Sequence, residues 1–263
     1  MTSLEPPRTA GGVRVRVTEG VASIVIDRPE ARNAIGFATA DELEAALDVV
    51  EGREAAVLVL RGGGDRAFVS GGDLKELSTV RTHDAAVQMA QRVRRLLDRI
   101  ASFPIPVIAA LNGHALGGGA EVAIAADIRI AAEDIKIGFN QVTLGIMPAW
   151  GGAERLAQVI GRGRAMLLLA TGDLQDAGQA LELGMLDRVV PRKDFDDEVE
   201  ALAKRLASLA PGTPRALKSV LNAAVPTVHR HTEDVATDVF ATLWAADAHW
   251  DAVEQLQLRR AAR

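Results

Sequence analysis

Apolar residues recur along this chain with two periods, and the change between them divides it. VRVRV at 13–17 alternates strictly, TEG turns the chain, and VASIVID follows at 21–27. This predicts a hairpin with one wetter and one drier strand. TADELEAALDVV, 39–50, starts with a cap-like Thr39 and then spaces its apolar residues as a helix does. AAVLVLRG at 55–62 reads as a buried strand, and GGGDRAFVSGGD is a glycine-rich connection holding the short strand Ala67–Val69. A polar amphipathic helix from Asp84 to Ile100, a buried strand in PIPVIAALNG at 104–113 and two short strands in DIRIAAEDIKIGF follow. Beyond Trp150 the spacing is helical over 152–160, 162–170, 176–183, 194–209, 212–224 and a last pair from His231, interrupted by the strand DRVV at 187–190.

Strands alternating with helices predict an α/β fold with crossover connections. The expected divisions are a flexible leader at 1–12, an α/β core at 13–210 and a helical region at 211–263, with PGTPRALK as a hinge. A strand–strand–helix rhythm recurs weakly in the first half.

Composition narrows the partners. The chain has 263 residues, 48% hydrophobic and 25% charged, which suits a globular protein with a sizeable core. A net charge of -5 argues against a nucleic-acid partner, which would need a basic face. An anionic small molecule held by local arginines stays open. With no cysteine there is neither a disulfide nor a thiolate metal site. His229, His231 and His249 show no metal-ligand spacing with nearby acids and are expected at the surface. No apolar run approaches the roughly 20 residues of a membrane helix. The N-terminus MTSLEPPRTAGG lacks the pattern of a secretory signal, so the cytoplasm is the expected compartment.

The chemistry concentrates in HALGGGAEVAIAAD, His114 to Asp127. Glycines before a helix often cradle a phosphate, yet no G-K-[ST] or G-x-G-x-x-G spacing is present. Glu121 falls in the first helical turn, where a carboxylate would repel a phosphate. Two readings stand. The helix start faces a developing oxyanion with Glu121 as a proton-handling neighbour, or Glu121 merely complements the helix dipole. In AFVSGGDLKEL, 67–77, Asp73 is placed to cap a helix, and FVSGG lacks the first glycine of a nucleophile elbow. The glycine-flanked strand end offers a free backbone amide instead, at Ser70. His114 reads either as a structural residue at a strand end or as a catalytic one, and Trp150 as packing or as a pocket wall.

Five segments in order, IDRPEARNAI (26–35), FVSGGDLKEL (68–77), PIPVIAALNGHALGGGAEVAIAADIRIA (104–131), LGIMPAWGGAERLAQVIG (144–161) and ALELGMLDRVV (180–190), resemble the enoyl-CoA hydratase/isomerase (crotonase) superfamily. The resemblance implies a crotonase-like ββα spiral core with a helical C-terminal region that assembles trimers, commonly a dimer of trimers. It implies an acyl-CoA thioester as substrate and no separate cofactor, coenzyme A being carried by the substrate. By position, the amides of Ser70 and Gly118 would hold the thioester oxygen as it becomes an enolate, each donor being worth about 3–4 kcal/mol of barrier. Arg32, Gly72, Asp73, Leu74, Lys75, Asn140 and Trp150 would contact substrate; Arg28 and Arg66 lie beside the same segments.

Hydratases of this family use two glutamates that share a water. Glu121 matches the first, but Gln141 occupies the second position, eleven residues before the second glycine of PAWGG, and neighbouring Asn140 and Val142 are not acids either. An amide cannot take a proton as a carboxylate does, so hydration would lose a group worth roughly a hundred- to ten-thousand-fold. Decarboxylation of a 2-carboxyacyl-CoA needs the oxyanion hole but no base. GGGAE with IMPAWGG is similar to the alkylmalonyl-CoA decarboxylase branch. The expected function is therefore an acyl-CoA lyase of hydratase type, with decarboxylase chemistry, isomerase or hydrolase chemistry, and a non-catalytic acyl-CoA-binding homologue as alternatives.

Overall fold

The computed structural model describes residues 12–210, 212–224 and 230–262. The expected leader, 1–12, thus lies outside the described residues except for Gly12, whose carbonyl accepts from the Asp27 amide at 2.6 Å.

β1 (Val13–Thr18) and β2 (Val21–Ile26) pair antiparallel, turning through Glu19 and Gly20 at positive φ. In β2 the alternation is strict: Ala22, Ile24 and Ile26 are buried and their neighbours only partly so. α1 (Phe37–Glu51) begins ahead of the expected cap. Thr39 lies inside the helix and accepts from Arg28 Nη1 at 3.2 Å. The N-terminal amide of Phe37 is served from a distance by Glu76 Oε1 at 2.9 Å. Glycine at 36 makes this possible, since a Cβ there would fall 1.6 Å from Glu76 Oε2.

Next come β3 (Val57–Gly62), β4 (Ala67–Val69), α2 (Leu74–Leu77) and α3 (His83–Ala101). Then follow β5 (Val107–Leu111), β6 (His114–Leu116), α4 (Gly118–Ala125), β7 (Ile128–Ala132) and β8 (Lys136–Gly138). A 3-10 turn, Asn140–Leu144, leads to α5 (Gly152–Ile160), α6 (Arg162–Thr171), β9 (Gln175–Asp176), α7 (Ala177–Leu183), β10 (Arg188–Val190) and α8 (Phe195–Ala207). The sequence pattern predicts no strand at β6, and the helix it predicts from 176 includes Asp176 of β9.

Two sheets result. The larger runs β1-β2-β3-β5-β7-β10, parallel from β2 onward, and the smaller runs β4-β6-β8-β9. Three times the chain lays one strand in the larger sheet and the next in the smaller: β3 then β4, β5 then β6, β7 then β8. The crossings between sheets strand backbone groups, and two buried asparagines satisfy them. Asn33 Nδ2 donates to Gly63 O and Ala67 O at 3.0 and 2.6 Å. Asn112 accepts from Gly62 N at 3.0 Å and donates to Gly64 O at 2.6 Å. The expected α/β architecture is thus present.

The C-terminal region is helical: α9 (Thr213–Ala224), α10 (Arg230–Ala245) and α11 (Asp247–Ala261). It is bolted to the core. Lys218 of α9 is buried and donates to Asp127 Oδ2 at 2.7 Å and Ile105 O at 3.2 Å. Trp244 Nε1 of α10 donates to Val80 O at 2.9 Å. The surface position expected for His249 is wrong: the residue is 0% exposed. Its neighbours Trp244 and Trp250 lie against its ring, 4.5 and 4.7 Å between centroids. The side chains of His229 and His231 lie outside the described residues.

Candidate active site

A pocket of about 610 Å³ opens where α4 meets the 3-10 turn and the start of α5. Gly117 ends β6 with φ 57 and ψ -119, a conformation that only glycine takes without strain, and α4 starts at the next residue. Gly118 opens the helix, so its amide has no intrahelical acceptor. Glu121 follows within the first turn and is 2% exposed.

The Glu121 carboxylate is held on both oxygens. Oε2 accepts from the amides of Trp150 and Gly152 at 2.8 and 2.9 Å, and Oε1 from Gln141 Nε2 at 2.9 Å. A Cβ on Gly152 would lie 2.3 Å from Glu121 Cγ, so the close approach requires glycine. Burial pushes the carboxyl pKa from 4.5 to about 7. The two amides pull it down, nearby Glu154 adds a further upward push, and Arg155 opposes that push. Glu121 therefore does more than complement a helix dipole: it is a buried carboxyl in the pocket lining whose pKa burial holds near 7. Gln141 Oε1 is buried with no hydrogen-bond partner, while Asn140 Oδ1 lies 3.3 Å from where a Cβ on Gly117 would be.

At the other rim the structure corrects the expected donor. The Ser70 amide donates to Arg32 O at 3.2 Å, and so is already spent. The reason is pairing across the loop: Ile35 N donates to Gly71 O and Asp73 N to Ile35 O, both at 2.9 Å. These bonds turn Gly72 away from Ile35, and no backbone acceptor among the described residues engages its amide. Gly71, at φ 107, brings this rim against α4: a Cβ there would be 3.4 Å from Gly118 N.

Trp150 is a pocket wall. A Cβ on Gly118 would lie 2.1 Å from Trp150 Cζ3, and one on Gly72 3.8 Å from Cη2, so the indole covers both glycines. Leu74 and Arg32 also line the pocket, Arg32 on its exposed part. Asp73 and Lys75 do not line it. Asp73 caps α2, accepting from Glu76 N at 3.4 Å, and pairs with Arg28 at 3.0 Å. That pair, with donation to Ala34 O at 2.7 Å, also occupies Arg28. Lys75 is exposed.

The sequence reading missed Arg192, which lines the outer pocket beside Arg66 and pairs with Asp134. It also missed Phe240, Trp244 and Leu256, by which the C-terminal helices form the apolar end of the pocket. The helical spacing of Phe240 and Trp244 was the available signal. His114 lies at the outer rim, where Nδ1 accepts from Lys136 N at 3.0 Å, a strand-edge role. Among the described residues no three His, Cys, Asp or Glu side chains cluster as metal ligands, and no helix is long and apolar enough to cross a membrane.

Residues 16–255 match the family model described as enoyl-CoA hydratase/isomerase. The chain is 35% identical to a crotonyl-CoA hydratase of Syntrophomonas wolfei over 230 residues, 86% of this chain and 87% of that protein. It is 38% identical over 213 residues to an enoyl-CoA isomerase/hydratase of Mycosarcoma maydis, 77% of each chain. The crystal structure of an enoyl-CoA hydratase from Bacillus anthracis superposes with TM-score 0.78 at 32% identity, covering 95% of this chain and 96% of that one.

Proposed function

The chain belongs to the enoyl-CoA hydratase/isomerase family, and on that premise we propose that it is an acyl-CoA lyase of hydratase type that works through a thioester enolate. The observation that carries this reading is the buried Glu121 carboxyl, with Oε2 anchored by two amides and Oε1 engaged by the Gln141 amide alone, which makes Oε1 the oxygen for proton exchange in this proposal. Water adds its oxygen to C3 of a 2-enoyl thioester and gives its proton to Glu121 Oε1. The electrons of the double bond move onto the thioester oxygen, between the amides of Gly72 and Gly118. The enolate then collapses as Glu121 returns the proton to C2. One carboxyl thus does in sequence what a pair would share. Gln141 donates to Glu121 and keeps its own Oε1 unpartnered, an acceptor for the attacking water in this proposal.

Gly72 replaces Ser70 as the second donor in this proposal, because the Ser70 amide is bonded to Arg32 O. Arg32, Arg66 and Arg192 on the outer pocket suit the phosphates of coenzyme A, which the substrate itself brings. A cytoplasmic location and assembly as a homotrimer or dimer of trimers belong to the same proposal; Leu217, Val220 and Leu221 form an exposed apolar face on α9 suited to a second copy.

Decarboxylation of a methylmalonyl- or ethylmalonyl-type thioester is the second reading. It is favoured by the neutral Gln141 beside Glu121, which adds no second negative charge against a substrate carboxylate. Of the three lining arginines, Arg32 and Arg66 are exposed and Arg192 pairs with Asp134, so none is a buried free counter-ion for that carboxylate, which puts hydration first. Parallel incubation with crotonyl-CoA, methylmalonyl-CoA and ethylmalonyl-CoA, read by mass, separates the readings. Hydration predicts gain of one water on crotonyl-CoA. Loss of carbon dioxide from the malonyl thioesters alone overturns hydration in favour of the second reading, and no change in any of them overturns both.

A further inference from the structure

The turn that presents Asn140 and Gln141 is short and irregular, and its neighbours hold it. On one side α6 ends at Gly172, where a Cβ would fall 2.8 Å from Val142 Cγ1 and 3.5 Å from Asn140 Cα. On the other side the start of α11 closes on Gly145, whose φ of 69 ends the turn and where a Cβ would lie 3.6 Å from His249 Cα. Between these contacts, His249 Nδ1 lies 2.7 Å from Leu144 O. A carbonyl only accepts, so Nδ1 carries the proton and His249 is the donor.

The rest of the ring serves this one bond. Nε2 is buried without a partner, so a proton there would be a desolvated cation. Trp244 and Trp250 enclose the imidazole at centroid distances of 4.5 and 4.7 Å, and the Arg81 guanidinium sits 3.5 Å over Trp250. Burial, and secondarily the Arg81 charge, hold the His249 pKa below its ordinary value, against the upward effect of the Leu144 bond. The imidazole is thus kept neutral in its Nδ1–H form. A side chain needed only to fill space would be apolar here. A buried histidine with one bond made and one nitrogen empty is tolerated for the bond it makes.

We infer that His249 is a positioning residue: by gripping the Leu144 carbonyl it fixes the 3-10 turn and so sets Gln141 against Glu121. Leu144 is three residues from Gln141 in the same turn, and both line the pocket with Trp244 of the adjoining helix. The C-terminal helices therefore wall the acyl end of the pocket and also align the polar group beside its proton-handling carboxyl. The activity side of this inference rests on the proposed hydration; the structural side does not.

The test uses the full chain with two readouts: crotonyl-CoA hydration, and the side-chain amide resonance of Gln141, identified by its loss in Gln141→Ala. His249→Leu removes the donor and keeps the bulk. It is expected to shift the Gln141 resonance and to lower kcat about ten-fold or more while KM moves less than about three-fold, as for a misplaced catalytic geometry. His249→Asn places an amide N–H near the Nδ1 position and should recover kcat to within about three-fold and restore the resonance. His249→Gln places its amide near Nε2 instead and should not, so the Asn and Gln variants decide the matter even if the leucine variant fails to fold. An unshifted Gln141 resonance in His249→Leu, or Asn and Gln variants equally impaired, overturns the positioning role. If the wild-type chain does not hydrate crotonyl-CoA, the hydratase reading fails, and the resonance alone still decides His249.

Discussion

Helices α4 and α5 both begin at a glycine pair, and both starts border Glu121, yet they spend their amides differently. At α4 the Gly117 and Gly118 pair bends the chain so that a first-turn amide is left for the pocket. At α5 the Gly151 and Gly152 pair gives the amides of Trp150 and Gly152 to Glu121 Oε2. In the proposed mechanism the same local device makes an oxyanion donor in one place, and the structure shows it making a carboxylate clamp in the other. What separates them is the partner: a side chain of α4 itself for α5, and for α4 an amide left open to the pocket that the proposal gives to a substrate atom. A helix start rich in glycine therefore predicts available amides without saying what they serve.

Removing the carboxyl breaks the comparison most severely. Glu121→Gln keeps the side chain's shape but takes away proton exchange, and hydration should fall roughly a hundred- to ten-thousand-fold, as for loss of a general acid–base group. Steady-state rates on crotonyl-CoA check this. A loss under about three-fold would mean that the α4 amides do the work and that Glu121 is a spectator.

How far this was readable beforehand depends on the reach of each contact. GGGAE announced a sharp turn, a helix start and an acid in its first turn, because all of these lie within one turn of chain. The layout of strands and helices was legible for the same reason, since burial patterns are local. Ser70 was misassigned because amide availability is decided by Arg32 and Ile35, far back in the chain. Asp73 and Lys75 fall outside the pocket lining for a like reason: Arg28 pairs with the first, and the second is exposed. His249 answers to Leu144, 105 residues away, and nothing near either residue signals that bond.

The burial of Glu121 should also be visible in stability. The folded-state pKa of Glu121, about 7, stands above its unfolded value of 4.5. The folded state then binds the proton more tightly than the unfolded state does. The resulting stability is fully present below pH 4.5 and is lost as pH rises through about 7; the shift is worth about 3 kcal/mol. Glu121→Gln has no proton to lose, so its Tm relative to wild type should rise between pH 5 and pH 8. A Tm difference that stays flat with pH would mean the carboxyl is not held in its raised state. Activity should follow the same group, with an apparent pKa about 7 in kcat/KM.

A smaller effect is expected where the clamp itself is disturbed. Gly152→Ala drives a Cβ toward Glu121 Cγ and should cost about 1–3 kcal/mol, as overpacking does. It also displaces an amide that lowers the Glu121 pKa, so the activity midpoint should move further upward. Denaturant midpoints and a pH–rate profile, measured together, test this. Destabilisation without any displacement of the profile would separate the glycine's packing role from its electrostatic one.

The smallest expected change tests whether the cap glycines are as unlike as the helices they begin. Gly151 has φ 84 and ψ 10, the ordinary left-handed region, whereas Gly117 has φ 57 and ψ -119. The first conformation costs a residue with a Cβ about 1–2 kcal/mol, and asparagine less. The nearest atoms to a Cβ at 151 are the end of the Arg155 side chain, a flexible group that would have to shift. Gly151→Ala should therefore lower Tm by a few degrees, at about 2–4 °C per kcal/mol for a chain near this size, and Gly151→Asn by less. Neither should alter kcat/KM more than about two-fold, since the Trp150 and Gly152 amides keep their places. A large activity loss in the asparagine variant would show that the clamp depends on the cap's own geometry, and the contrast between the two helix starts would then be one of degree.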